Sequence, residues 1–190
     1  MIKAIIFDCF GVLATDGWLP FRDKYFGKDQ ELFSKVTQLN REVDGGFSSF
    51  DAFIGRVSKL AGISQKYAKE QIENNVPNEK LFEFIRKSLK PNYKIGMLSN
   101  AAANWLSEIF LPQQVNLFDA VSLSYEARVL KPDKEAYMII ARKLDVLPSE
   151  CVFIDDQKRY CDGAGQVGMK AINYTDLEDL KNELATLLNE

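Results

Sequence analysis

The chain has 190 residues, 46% of them apolar and 27% charged, with a net charge of −3. Those proportions exclude a disordered chain and suit a single core of ordinary size with a small accessory lobe. No block of basic residues breaks the sequence, which excludes the concentrated positive patch that nucleic acid or an acidic membrane surface requires. Histidine is absent and the three cysteines, Cys9, Cys151 and Cys161, have no ligand-like spacing. Ser-His-Asp and Cys-His catalysis, histidine metal triads and a zinc site are thereby removed. The cysteines read as small buried hydrophobes of a reducing compartment. The apolar run at the start is too short for a signal segment, and no stretch of about 18 apolar residues occurs, so a cytoplasmic protein without a membrane partner is expected.

Residues 2–7 (IKAIIF) predict a strand, apolar enough to be covered on both faces of a parallel sheet. From Leu19 to Leu89 the patterning is helical. One pattern runs through Glu31, Leu32, Phe33, Val36 and Leu39. A second runs through Phe50, Phe53, Ile54, Val57 and Leu60, capped by Ser48 or Ser49, with Asp51 in its first turn and Gly62 ending it. A third covers residues 79–89. Residues 93–98 (YKIGML) then predict a strand, followed by Ser99, Asn100 and a helix over Ala101–Ile109. Residues 117–122 predict a third strand, and the loop after it carries Lys131-Pro132 before a helix over 134–144. Residues 151–154 (CVFI) predict a fourth strand running into Asp155-Asp156. A helix over about Arg159–Val167 closes at Gly168, and a short strand at 170–173 and a helix over 176–188 finish the chain. Strands alternating with helices predict an α/β fold: a Rossmann-like parallel sheet with helices on both faces, and a small all-helical cap inserted after the first strand. The core is assigned to residues 1–15 and 81–190, and the cap to residues 16–80.

In such sheets the functional groups gather beyond the carboxyl ends of the strands. Four such places carry polar residues here: Asp8, Ser99-Asn100, Lys131 and Asp155-Asp156. Each alone has an ordinary structural explanation, as a turn cap or a solvated loop residue. Together they make a coherent site. Carboxylates held close repel one another unless a cation lies among them, and hard oxygen ligands suit Mg²⁺. A lysine and a hydroxyl facing that metal would cradle an anion.

These four segments resemble, in order, the motifs of the haloacid dehalogenase-like hydrolase superfamily, in its phosphatase-type branch with a helical cap after the first motif. The first is matched by Asp8–Leu13, the second by Leu98-Ser99-Asn100, the third by Lys131-Pro132 and the fourth by Phe153-Ile154-Asp155-Asp156. The run VLKPDKEAY and the later GAGQVGMKAI are similar too, and the resemblance spans essentially the whole chain. It implies that Asp8 is the nucleophile, forming an aspartyl-phosphate on a small phosphorylated metabolite. It also implies that Ser99 and the backbone around Asn100 hold the phosphoryl group, and that Lys131 neutralises it. Mg²⁺ would be held by Asp8, the carbonyl of Phe10 and Asp156, with Asp155 as a weaker ligand or an orienting group. A monomer or homodimer is expected.

Two positions depart from the family pattern. Where most of its phosphatases carry a second aspartate, which protonates the leaving alkoxide and then activates water, this chain has Phe10. The carbonyl of Phe10 keeps the metal site possible, while acid–base help worth about 10²–10⁴ in rate is lost. A cap or loop acid such as Asp16 is a stand-in whose place in space the sequence does not give. Tyr160 stands where asparagine is frequent, which predicts weaker hydrogen bonding around Lys131 or the metal. Two alternatives follow from Phe10. One is a weak or inactive member that binds a ligand or protein, and the other is a metal-independent 2-haloacid dehalogenase, for which Arg22, Trp18 and Phe21 would supply cap residues.

Overall fold

The computed structural model describes residues 1–188. Strand β1 (Ala4–Phe7) leads into four helices, α1 (Trp18–Phe26), α2 (Gln30–Asp44), α3 (Phe50–Ala61) and α4 (Gln65–Ile72). Helix α5 (Glu79–Phe84) continues as a π-helical turn over Ile85–Leu89 into β2 (Lys94–Ser99). Two short helices, α6 (Leu106–Ile109) and α7 (Pro112–Val115), precede β3 (Ala120–Leu123), α8 (Ser124–Ala127) and α9 (Lys134–Lys143). The chain ends through β4 (Cys151–Asp155), α10 (Lys158–Gly165), β5 (Lys170–Asn173) and α11 (Leu177–Leu188).

All five strands are parallel, in the order β3-β2-β1-β4-β5. The alternation of β1 shows why a continuous apolar run was needed. Ile5 and Phe7 enter one core with α5 and α11, while Ala4 and Ile6 enter the other with α9 and α10. Burying both faces leaves no position for a polar residue until the strand ends at Asp8. Helices α1–α4 have an apolar core of their own, built on Phe21, Phe26, Val36, Phe53 and Val57. Helix α3 starts and stops as its residues dictate. The Ser49 hydroxyl accepts from the Ala52 N–H, and Gly62 takes the left-handed conformation at φ 68°.

Two local expectations need correction. The helix over Ala101–Ile109 forms only from Leu106, because Ser124 ties the start of the segment to a neighbouring loop and Asn104 takes the N–H that a helix begun at Ala101 would direct to the Ala102 carbonyl. The Ala101 N–H donates to Ser124 Oγ (2.9 Å) and the Leu106 N–H to Asn104 Oδ1 (3.2 Å). The third strand lies later than 117–122, starting at Ala120, because the Asp119 side chain accepts from the Ile95 N–H and Phe118 closes a turn on Val115. Among the described residues no helix is long and apolar enough to cross a membrane.

Candidate active site

The strand order reverses between β1 and β4, because the chain builds outward through β2 and β3 before crossing to β4 and β5. That switch point brings Asp8, Asp155 and Asp156 together with one oxygen from each within 4.8 Å of the others. Lys131 is buried between them, its Nζ 2.8 Å from Asp8 Oδ1 and 2.6 Å from Asp155 Oδ2. Asn100 holds the lysine backbone from both sides: its Oδ1 accepts from the Lys131 N–H (2.8 Å) and its Nδ2 donates to the Lys131 carbonyl (3.2 Å). Tyr160 does more for the lysine than the sequence suggested. Its ring lies 4.8 Å from Nζ, a cation–π contact, and its hydroxyl accepts from Arg159 and Asn100.

Three carboxylates around one ammonium leave an excess of negative charge in a buried place. Burial, then the Asp155 charge, push Asp8 well above the usual carboxylate range. The same two causes, in the same order, raise Asp156 to about 6. Burial works against the charge on Lys131, but Asp155 and Asp8 outweigh it and keep the lysine protonated. Asp156 is admitted by Gly11, at φ +88°, where a Cβ would fall 2.5 Å from Asp156 Oδ2.

Asp156 Oδ1 is buried without a hydrogen-bond partner. The Phe10 carbonyl likewise accepts no backbone hydrogen bond among the described residues. An orphaned carboxylate oxygen beside surplus negative charge, in a set of hard oxygen donors, fits a divalent cation. Asp155 is the least open of the three, since Lys131 takes its Oδ2 and the Gln157 N–H donates to its Oδ1 at 2.8 Å.

A cavity rises from Asp8 and Lys131 toward α1, α2 and α3. Its wall is aromatic. Phe10 meets Trp105 edge-on at 5.7 Å, Trp105 meets Phe50 at 5.0 Å, Phe50 meets Phe53 at 6.1 Å, and Phe53 meets Trp18 at 5.0 Å. Arg22, Arg41 and Arg159 add positive charge around it. Ser99 is buried at the end of β2 and does not line this cavity, its hydroxyl making only a 3.4 Å contact with the Asn100 carbonyl. Asp16 reaches the cavity, with Oδ1 accepting from the N–H groups of Trp18 and Leu19. Asp44 also lines it and was missed. The sequence offers no signal for it, because only the end of α2 in space brings it to the cavity.

The family model for haloacid dehalogenase-like hydrolases matches residues 2–168. The chain belongs to the haloacid dehalogenase-like hydrolases. Both branches of the family occur among its relatives. A phosphatase of Mycobacterium tuberculosis is 27% identical over 202 residues, covering 90% of this chain and 86% of the relative. An (S)-2-haloacid dehalogenase of Xanthobacter autotrophicus is 25% identical over 215 residues, covering 98% and 81%. The fold is shared with a haloacid dehalogenase-family enzyme from Bacteroides thetaiotaomicron, crystallised with magnesium and inorganic phosphate. The TM-score is 0.72 at 22% identity, covering 95% of this chain and 99% of that one. This hydrolase therefore has a cluster of three aspartates that could hold a divalent metal.

Proposed function

We propose that this hydrolase cleaves a small phosphomonoester, with Mg²⁺ as its metal and a phosphorylated Asp8 as its intermediate. The observation that carries the reading is the partnerless Asp156 Oδ1 inside the three-carboxylate cluster. A cation answers both the missing partner and the excess charge, and metal-independent displacement of a halide calls for neither. The magnesium and inorganic phosphate in the Bacteroides enzyme are consistent with this choice.

Asp8 Oδ1 is fixed by Lys131 and by the Cys9 N–H at 2.7 Å, which leaves Oδ2 as the atom that attacks phosphorus. Lys131, locked by Asn100 and paired with Asp155, carries the positive charge that offsets the incoming phosphate. Mg²⁺ would be held by Asp8, the Phe10 carbonyl and Asp156, with Asp155 supporting through Lys131. When bound it neutralises the cluster and polarises the phosphoryl oxygens. The backbone at Asn100, which lines the cavity, is the donor for the phosphoryl group, and the Ser99 hydroxyl, held behind it by one long contact, joins by turning from the Asn100 carbonyl. Residues 16–80 act as a cap whose aromatic wall and arginines select the substrate over a core of residues 1–15 and 81–190.

Phosphate release from p-nitrophenyl phosphate and from a panel of sugar and nucleotide monophosphates tests the reading, with Asp8→Asn as control. Turnover lost on chelation and in the control is expected. A wild-type rate equal to that of Asp8→Asn overturns it and leaves a binding protein built on this fold.

A further inference from the structure

With Phe10 in place of a carboxyl, the leaving oxygen has no proton donor from the β1 loop. Two other carboxyl groups line the same cavity, Asp16 and Asp44. Asp16 has a structural task already, since one of its oxygens receives two backbone N–H groups at the start of α1. Those bonds pull against the burial that raises Asp16, and they leave that oxygen tied to the helix start. Asp44 is placed differently. It ends α2, where the helix carbonyls disfavour a negative charge, and its only side-chain partner is the neutral amide of Asn40, donating to Oδ2 at 2.8 Å. Among the described residues no side chain is bonded to its other oxygen, Oδ1, and the residue lines the cavity.

Asp44 is also docked onto the catalytic loops. Ser124 Oγ donates to the Asp44 carbonyl (2.5 Å) and accepts from the Ala101 N–H (2.9 Å), so one buried hydroxyl ties the end of α2 to the segment after Ser99-Asn100. Two residues on, Gly46 packs so closely on α8 that a Cβ there would lie 2.7 Å from the Tyr125 carbonyl. The acid is thus fixed by its backbone to the site it overlooks.

We propose that Asp44 is the general acid and base of this site, standing in for the carboxyl that Phe10 lacks. The inference rests on the phosphatase reading. As Asp8 Oδ2 bonds to phosphorus and the ester P–O bond breaks, the Asp44 carboxyl gives its proton to the departing alkoxide. The resulting carboxylate then takes a proton from the water that attacks the aspartyl-phosphate, releasing phosphate and restoring Asp8 and the protonated Asp44. The surroundings supply the needed proton affinity. Burial and then the Asp16 charge raise Asp44 to about 7, against the lowering pull of Asn40, Lys131 and Arg41. Arg22 and Arg159 complete the charged groups of the cavity.

The test compares kcat/KM for phenyl phosphate, whose leaving oxygen needs a proton, with p-nitrophenyl phosphate, whose leaving anion does not. Asp44→Asn should lower the first by about 10²-fold or more and the second several-fold at most. It should abolish the fall in the phenyl phosphate rate above pH 7 and produce a burst of p-nitrophenol as the aspartyl-phosphate accumulates. Equal losses for the two esters without a burst, or the same selective loss in Asp16→Asn instead, overturn the proposal while leaving the phosphatase reading intact. A wild-type protein with no Asp8-dependent hydrolysis of either ester overturns both. Should Asp44→Asn fail to fold, Asn40→Leu carries the test. Without the amide that favours the carboxylate, the alkaline limb should move to higher pH, and an unmoved limb overturns the assignment.

Discussion

Phe10 gives up the proton chemistry of its position and takes on a mechanical task. Its ring is the core's end of the aromatic row that runs through Trp105 and Phe50 to Phe53 and Trp18. Edge-to-face pairs add about 0.5–1.5 kcal/mol each beyond their buried area, so the ring contributes to holding α3 over the sheet. Asp44 carries the opposite cost. A folded carboxyl raised to about 7 binds more protons than an unfolded one near 3.9, so stability falls as pH rises from about 4 to 7 and the loss is complete above that window. Removing the acid removes the penalty. Urea midpoints of Asp44→Asn should exceed those of the wild type at pH 8, with the advantage shrinking toward zero by pH 4. Asp8, Asp155 and Asp156 were legible in the sequence as carboxylates at the ends of apolar strands, and Lys131 through the Lys-Pro pair before a helix, although α8 separates it from β3. Asp44 was not, because its role depends on where α2 stops in space.

At the scale of elements, most strands and long helices followed from apolar periodicity, the third strand only in part, and α3 had its end legible in Gly62 and its start narrowed to Ser48 or Ser49. The segment after β2 did not. Its composition is helical, and residues 101–105 turn aside through the distant Ser124 hydroxyl together with the Asn104 side chain. That detour sets Trp105 against Phe10. The loop after β1 is as exacting. Gly11 has both a positive φ and no room for a Cβ beside Asp156. Gly11→Ala should therefore displace the Asp156 carboxylate and weaken Mg²⁺ binding by at least tenfold, read from the Mg²⁺ dependence of thermal unfolding. An unchanged dependence would show that Asp156 is not the metal's principal ligand.

For the molecule as a whole, strand order was the least legible feature, since sequence fixes which residues end strands but not which strands are neighbours. Placing β1 between β2 and β4 is what gathers four distant segments at one point. The same gathering stores repulsion in the metal-free protein. Mg²⁺ should then stabilise the fold by mass action, about 2.7 kcal/mol at a hundredfold excess over Kd. Chelation should lower Tm accordingly, whereas the Asp8→Asn and Asp156→Asn variants should respond far less. A melting curve indifferent to Mg²⁺ would remove the metal from the account.

The aromatic row also bears on observation. The chain's two tryptophans, Trp18 and Trp105, both face the cavity, one contributed by the helical layer and the other by the loop after β2. Their emission is consequently a built-in optical gauge of this one place in the molecule, with no background from indoles elsewhere. Occupancy by phosphate or vanadate, or a change in the spacing of the two layers, can be followed in the native chain without a label.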